Sequence, residues 1–163
     1  MATTIPVPIQ FSLPEGWRSV PPDEVGAPEA AFVALHPSDL PGFTPNIAIS
    51  GEIRPEDVPL TEIADESVER LRSGSREVRP GRRNEVGSAA DPGLTQIIYF
   101  EVDTEGRRLN ILQFQVFLGF RDTREPGRRA VLQIVLSTLP EQFEGLLGDF
   151  QQFISTIRPE GAS

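Results

Sequence analysis

Few side chains in this 163-residue chain could do chemistry. Three carboxylate pairs, Asp23/Glu24, Glu56/Asp57 and Asp65/Glu66, are the candidates for general acid–base work. All three fall in polar loop or helix-surface stretches, where a solvated carboxylate keeps an ordinary pKa and makes a poor general acid at neutral pH. The one histidine, His36, closes an apolar run just before Pro37, with no nucleophile or carboxylate suggested as its partner. The chain has no Cys, which excludes thiol catalysis, thiolate metal sites and disulfides. No Gly-x-Ser-x-Gly elbow, EF-hand spacing or Gly-rich phosphate loop is present. The sequence therefore predicts no catalytic residue, no metal site and no cofactor, and a protein that is not an enzyme.

The more informative residues are uncharged. Gln113, Gln115 and Gln133 interrupt apolar runs, and an amide buried without a partner is costly. With Tyr99 and Phe117 they form a set too polar for a plain core and too uncharged for a freely solvated face. Two readings fit. Loops or a helix cover this face and satisfy the amides, or the face is a concave surface that accepts a peptide, a helix or a lipid-like ligand. On the second reading Tyr99, Gln113, Gln115, Phe117 and Gln133 are the partner- or ligand-binding residues.

The elements that must position this set are legible from periodicity. Residues 94–120 read as one long β-hairpin, with strands over 94–102 and 109–120 joined at Asp103-Thr104-Glu105-Gly106. In the second strand Leu112, Phe114, Val116, Leu118 and Phe120 share a phase opposite to Gln113, Gln115 and Phe117; in the first, Ile97 and Tyr99 are read on the amide side. Further strands are expected over 17–20, 30–35, 46–54 (with a bulge at Gly51) and 130–136, and a short one over 76–86 broken at Pro80-Gly81. Over 5–13 an edge strand is expected, or one that enters the sheet only from Ile9 onward, and loops over 21–29, 38–45, 88–93 and 121–129. Leu60, Ile63, Ala64, Val68 and Leu71 form the stripe of a helix over 60–72, which Gly74 stops. Phe143, Leu146, Leu147, Phe150, Phe153, Ile154 and Ile157 form the stripe of a C-terminal helix, with Thr138 and Glu141 as its capping box. Gly145 and Gly148 lie opposite that stripe, either as ordinary exposed positions or where another backbone approaches. Trp17 is expected to anchor the core.

The net charge is −9 and no basic residue is Lys. Such a chain repels phosphate backbones and anionic membranes, so nucleic acid is not an expected partner. Six arginines at 70, 72, 76, 79, 82 and 83 run against that balance, as a solvated helix end or as a docking patch for an acidic partner. No basic-then-apolar leader opens the sequence and no run approaches the ~20 apolar residues of a membrane span. The expectation is a soluble, cytoplasmic protein.

Taken in order, the chain opens with FSLPEGWR (11–18) and continues with GFTPNIAIS (42–50). An amphipathic helix, a long hairpin, a strand and a C-terminal helix ending in IRP follow. Over nearly its whole length this order resembles the actinobacterial LpqN/LpqT-type proteins and the related bacterial domain of unknown function with the Mog1/PsbP-like fold. The resemblance implies an α+β fold, a central antiparallel β-sheet flanked by helices as an α/β/α sandwich. The length of the chain predicts a single domain over 1–163, with 1–4 and 159–163 expected to be flexible. Proteins of the wider superfamily bind a small GTPase, associate with a photosystem, or act as cytosolic chaperones for apolar helices of secreted effectors. No catalytic residue is transferred. The lipobox cysteine of the mycobacterial lipoproteins has no counterpart here, so envelope anchoring is not carried over. The resulting expectation is a non-enzymatic protein-binding module, an adaptor or chaperone for a secreted or membrane-associated client. The alternative is a carrier of a small apolar or lipid-like ligand in a sheet concavity. A homodimer is expected as a further partnership.

Overall fold

The computed structural model describes residues 9–22, 30–36, 43–87, 92–104, 106–121 and 126–159. Expectations for 1–8, 23–29, 37–42, 88–91, 105, 122–125 and 160–163 lie outside them. In chain order the elements are β1 (Ile9–Gln10), β2 (Arg18–Val20), β3 (Phe32–Leu35), β4 (Asn46–Pro55) and α1 (Leu60–Gly74). They continue with β5 (Arg76–Gly87), β6 (Pro92–Thr104), β7 (Arg107–Arg121), β8 (Arg128–Thr138), α2 (Pro140–Thr156) and β9 (Arg158–Pro159). Seven strands make one antiparallel sheet in the order β2-β3-β4-β8-β7-β6-β5, while β1 and β9 pair separately. The expected α+β architecture, an antiparallel sheet with a helix on each side, is the observed one.

The hairpin forms the long spine of that sheet. Thr104 pairs with Arg107, and Gly106 turns the chain at φ 74, where a Cβ would be strained. A two-residue connection fixes the parity of every pair above it: Ile97 faces Phe114, Tyr99 faces Leu112, and Gln96 faces Gln115. The expectation that Ile97 and Tyr99 share the amide side is therefore corrected. They project from the opposite face. β5 is longer than expected and lies at the sheet edge, where Pro80 and two register shifts are tolerated. The bulge expected at Gly51 is absent, since β4 and β8 pair without a break from Asn46–Ser137 to Pro55–Arg128.

Each helix buries the stripe read for it. On one side, Leu146, Phe150 and Phe153 of α2 and Ile157 at its end pack on Ile47, Ile49, Val116, Leu132, Ile134 and Leu136. Each such side chain contributes about 1.5–3 kcal/mol of gross burial. Trp17 joins this core at 8% exposure, donates from Nε1 to Asp149 Oδ2 at 3.0 Å, and meets His36 edge-on at 4.9 Å. On the other side, Leu60, Ile63 and Ala64 of α1 pack on Leu94, Phe117 and Val131, and Val68 on Ile98, Phe100 and Ile111. The cap of α2 sits one residue later than expected. Thr138 remains in β8, paired with Leu112, and Leu139 becomes the N-cap, its N–H donating to Gln142 Oε1 at 2.8 Å. Gly145 and Gly148 are exposed, and a Cβ at either would meet nothing within 4 Å, so no backbone among the described residues approaches them.

The two helices are staggered. α1 lies over β5, β6 and β7, whereas α2 lies over β7 and β8 on the reverse side. Among the described residues α1 reaches β8 and β4 at Val131 and Arg54 and leaves the rest of that side of the two strands without a helix, and no helix covers the α2 side of β5 and β6.

Candidate functional site

The amide face is partly roofed and partly open. Under α1, Gln115 is 1% exposed and sits at the centre of a closed hydrogen-bond network. Its Oε1 accepts from Ser67 Oγ at 3.1 Å and from Gln96 Nε2 at 2.7 Å, and its Nε2 donates to Gln113 Oε1 at 2.9 Å. Gln96, also buried, donates to the Ala64 carbonyl at 3.2 Å and accepts from Arg83 Nε and Nη2 at 3.0 and 2.8 Å. Gln133 Nε2 donates to Ser67 Oγ at 3.1 Å. Paired in this way, the amides avoid the penalty that buried polar groups otherwise carry and lock α1 to the sheet in one register.

Beside α1 the same face opens into a groove of about 680 Å³. Ile63, Ser67 and Leu71 of α1 form one wall, and Asn46, Ser50, Gln133 and Ser137 lie along the β4–β8 floor with Ala48, Val131 and Val135 between them. Gln113 and Gln133 are half-buried here, and among the described residues Gln113 Nε2 and Gln133 Oε1 have no protein partner. The charged lining residues are Glu52 and Arg70, so most of the floor presents neutral donors and acceptors.

The middle of α1 is tied to the sheet by charge. Arg54 of β4 grips Glu66 with two hydrogen bonds of 2.8 Å and reaches Glu52 at 3.0 Å. The hydrogen bonds from Arg54 hold the Glu66 carboxyl below the usual carboxylate range. A carboxyl depressed in the folded state adds stability at pH values above its unfolded pKa. That stability is lost as pH falls through the folded value. Glu66 is 39% exposed, so screening limits the effect to about 0.5–1 kcal/mol. Urea midpoints of the wild type should therefore fall more steeply than those of Glu66→Gln between about pH 5 and pH 3. Parallel profiles would show that the pair carries no folding energy.

Of the residues singled out from sequence, Gln113, Gln115, Phe117 and Gln133 come together on this face. Gln113 and Gln133 border the open groove. Gln115 and Phe117 are buried beneath it, at 1% and 0% exposure. Tyr99 is not part of the group: it lies across the sheet, next to Arg79 of β5. Sequence reasoning missed Gln96, Ser67 and Arg83. Two signals were available: Ser67 stands inside the apolar stripe of α1, and the two-residue turn places Gln96 opposite Gln115. In the sequence Arg83 is only one of the clustered arginines, and nothing local ties it to the amides. Among the described residues no group of three or more His, Asp or Glu could hold a metal ion, and no helix is long and apolar enough to cross a membrane.

No family model matches the chain, and no curated protein matches it by sequence. Solved structures do match. LpqN of Mycobacterium tuberculosis, involved in cell envelope biogenesis, superposes with a TM-score of 0.65 at 14% identity, over 98% of this chain and 89% of LpqN. The Ran-binding protein Mog1p of Saccharomyces cerevisiae gives 0.59 at 13% identity over 93% and 89%. The cyanobacterial PsbP of Synechocystis gives 0.56 at 16% identity over 93% and 86%. The chain thus has the Mog1/PsbP-like fold that its resemblance to the LpqN/LpqT-type proteins implied. At these identities the likeness is one of fold.

Proposed function

We propose that the chain is a non-enzymatic binding module, acting as one domain, whose groove beside α1 seats a segment of a protein client. The observation that carries this reading is the floor itself. Gln113 and Gln133 keep unpaired polar atoms next to Ser50, Ser137 and apolar walls, which suits an uncharged segment that hydrogen-bonds as it buries side chains. Gln115 and Phe117 support the floor from beneath. The binding of Ran by Mog1p shows that the fold can serve protein recognition, and an adaptor or chaperone for a secreted or membrane-associated client, working in the cytoplasm, is the specific form of this reading. The volume also falls in the range of small-ligand sites, but an apolar or lipid-like cargo would leave the floor amides without partners.

A photo-crosslinking residue at position 50, expressed in the native host, should give a discrete protein adduct. The adduct should disappear with Ala48→Arg, which projects into the groove, and should not form from position 144 on the exposed side of α2. Absence of an adduct at position 50 would overturn the client reading. A bound small molecule in the native mass spectrum would replace it with the carrier.

A further inference from the structure

Among the described residues no helix covers β5 and β6 on the α2 side, and the apolar residues left in view there are not random. Val86 and Tyr99, at 48% and 36% exposure, are the exposed large hydrophobic residues among those described. Both lie on this corner: Val86 pairs with Gly93 and Tyr99 with Arg79, with Thr95 and Ile97 between them on the same face of β6. From Gly93 to Tyr99 the strand rises about 20 Å, which matches roughly six residues of an extended segment.

The charges around this stripe oppose those of the chain as a whole. Arg76 pairs with Asp103 at 3.2 Å, and Arg108 lies 3.5 Å from both Glu101 and Asp103, so the acids on this face are already engaged. Among the described residues Arg79 and Arg82 have no carboxylate partner. The Arg79 guanidinium lies 6.0 Å from the centre of the Tyr99 ring. Two acids of β5 have no ion pair among the described residues: Glu77, exposed at φ 52, and Glu85, which pairs with Leu94 and so alternates to the other face from Val86. Exposed Tyr and Arg side by side are the residue types that dominate binding energy at protein interfaces. A long polyanion would meet the repulsion of a net charge of −9, whereas a short acidic segment feels mainly the local arginines. A second copy pairing edge to edge is opposed by Pro80, by the two register shifts and by the arginines of β5.

We propose that this corner docks an acidic polypeptide segment, its carboxylates on Arg79 and Arg82 and an aliphatic or aromatic side chain over Ile97 and Tyr99. The site is on the opposite face from the groove and stands or falls independently of it. The probe is a fluorescein-labelled peptide of repeated Glu-Glu-Leu triplets, followed by anisotropy with the full chain. Saturable, salt-sensitive binding is expected. Arg79→Glu with Arg82→Glu, and separately Tyr99→Ser, should each weaken it roughly tenfold or more. A peptide with Lys in place of Glu should not bind, and Ala48→Arg in the groove should leave the affinity unchanged. All these positions are partly or fully exposed, and circular dichroism checks that each variant is folded. Absence of binding, equal binding of the Lys peptide, or sensitivity to Ala48→Arg alone would overturn the proposal. So would tighter binding of labelled oligo-dT with the same dependence on Arg79 and Arg82, which would mark the patch as a nucleic-acid contact.

Discussion

Gln115→Leu is expected to lower the unfolding free energy by about 2–4 kcal/mol, although leucine fills nearly the same volume. The loss arises from the partners left behind. Ser67 Oγ and Gln96 Nε2 both donate to Gln115 Oε1 in a region closed to water, and each would lose its acceptor. A buried donor without an acceptor costs about 1–3 kcal/mol. Gln113 is half-buried and could turn its freed carbonyl to solvent, so the third broken bond adds little. Adding Ser67→Ala to Gln115→Leu should cost less than the sum of the two single changes, since the serine no longer presents an unmet donor. Urea denaturation of the two single variants and the double variant measures both quantities. A loss under 1 kcal/mol for Gln115→Leu would show that water enters and takes over the network.

That network explains which parts of the site were legible beforehand. The apolar stripes at 60–71 and 143–157 and the alternation in residues 109–120 are local patterns, and each became the element read from it. The division of β7 into an amide face and an apolar face was local too, and α2 covers Phe114, Val116 and Leu118 on the expected side of the sheet. Tyr99 was misplaced because its face depends on counting across the turn: one residue more or less in that connection would move it to the other side. Gln96 was overlooked because it sits in a strand dominated by apolar neighbours. The stagger of the two helices has no local signal at all. It follows from sheet order, which joins β8 to β4 across a long stretch of chain, and it alone decides that Gln133 borders a groove while Tyr99 stands on a bare corner. The choice between covered and open amides, undecided from sequence, divides along the same line. α1 satisfies Gln115 and Gln96 and leaves Gln113 and Gln133 with spare hydrogen-bonding capacity.

Phe153→Ala is expected to be the most damaging single substitution, at about 3–5 kcal/mol, or about 6–20 °C in Tm for a chain of this size. Phe153 is wholly buried and closes a three-ring cluster. Phe11 meets it edge-on at 5.3 Å, Phe32 lies nearly parallel at 6.5 Å, and Phe11 and Phe32 meet at 4.8 Å. The cluster joins the start of the chain, β3 and α2, and it is reinforced by the pairing of β1 with β9 and by Ser12 N–H donating to Thr156 Oγ1 at 3.0 Å. Truncation should therefore expose residues 9–13 to proteolysis before the sheet itself opens. Phe153→Leu keeps most of the volume and should cost about 1–1.5 kcal/mol. These rings lie on the α2 side, whereas the amide network and the groove lie on the α1 side. Under native conditions Phe153→Leu should leave the side-chain amide resonances of Gln96 and Gln115 unshifted while lowering the melting point. Shifted resonances would mean that strain passes through the sheet, and the two faces could then not be treated as separate binding surfaces.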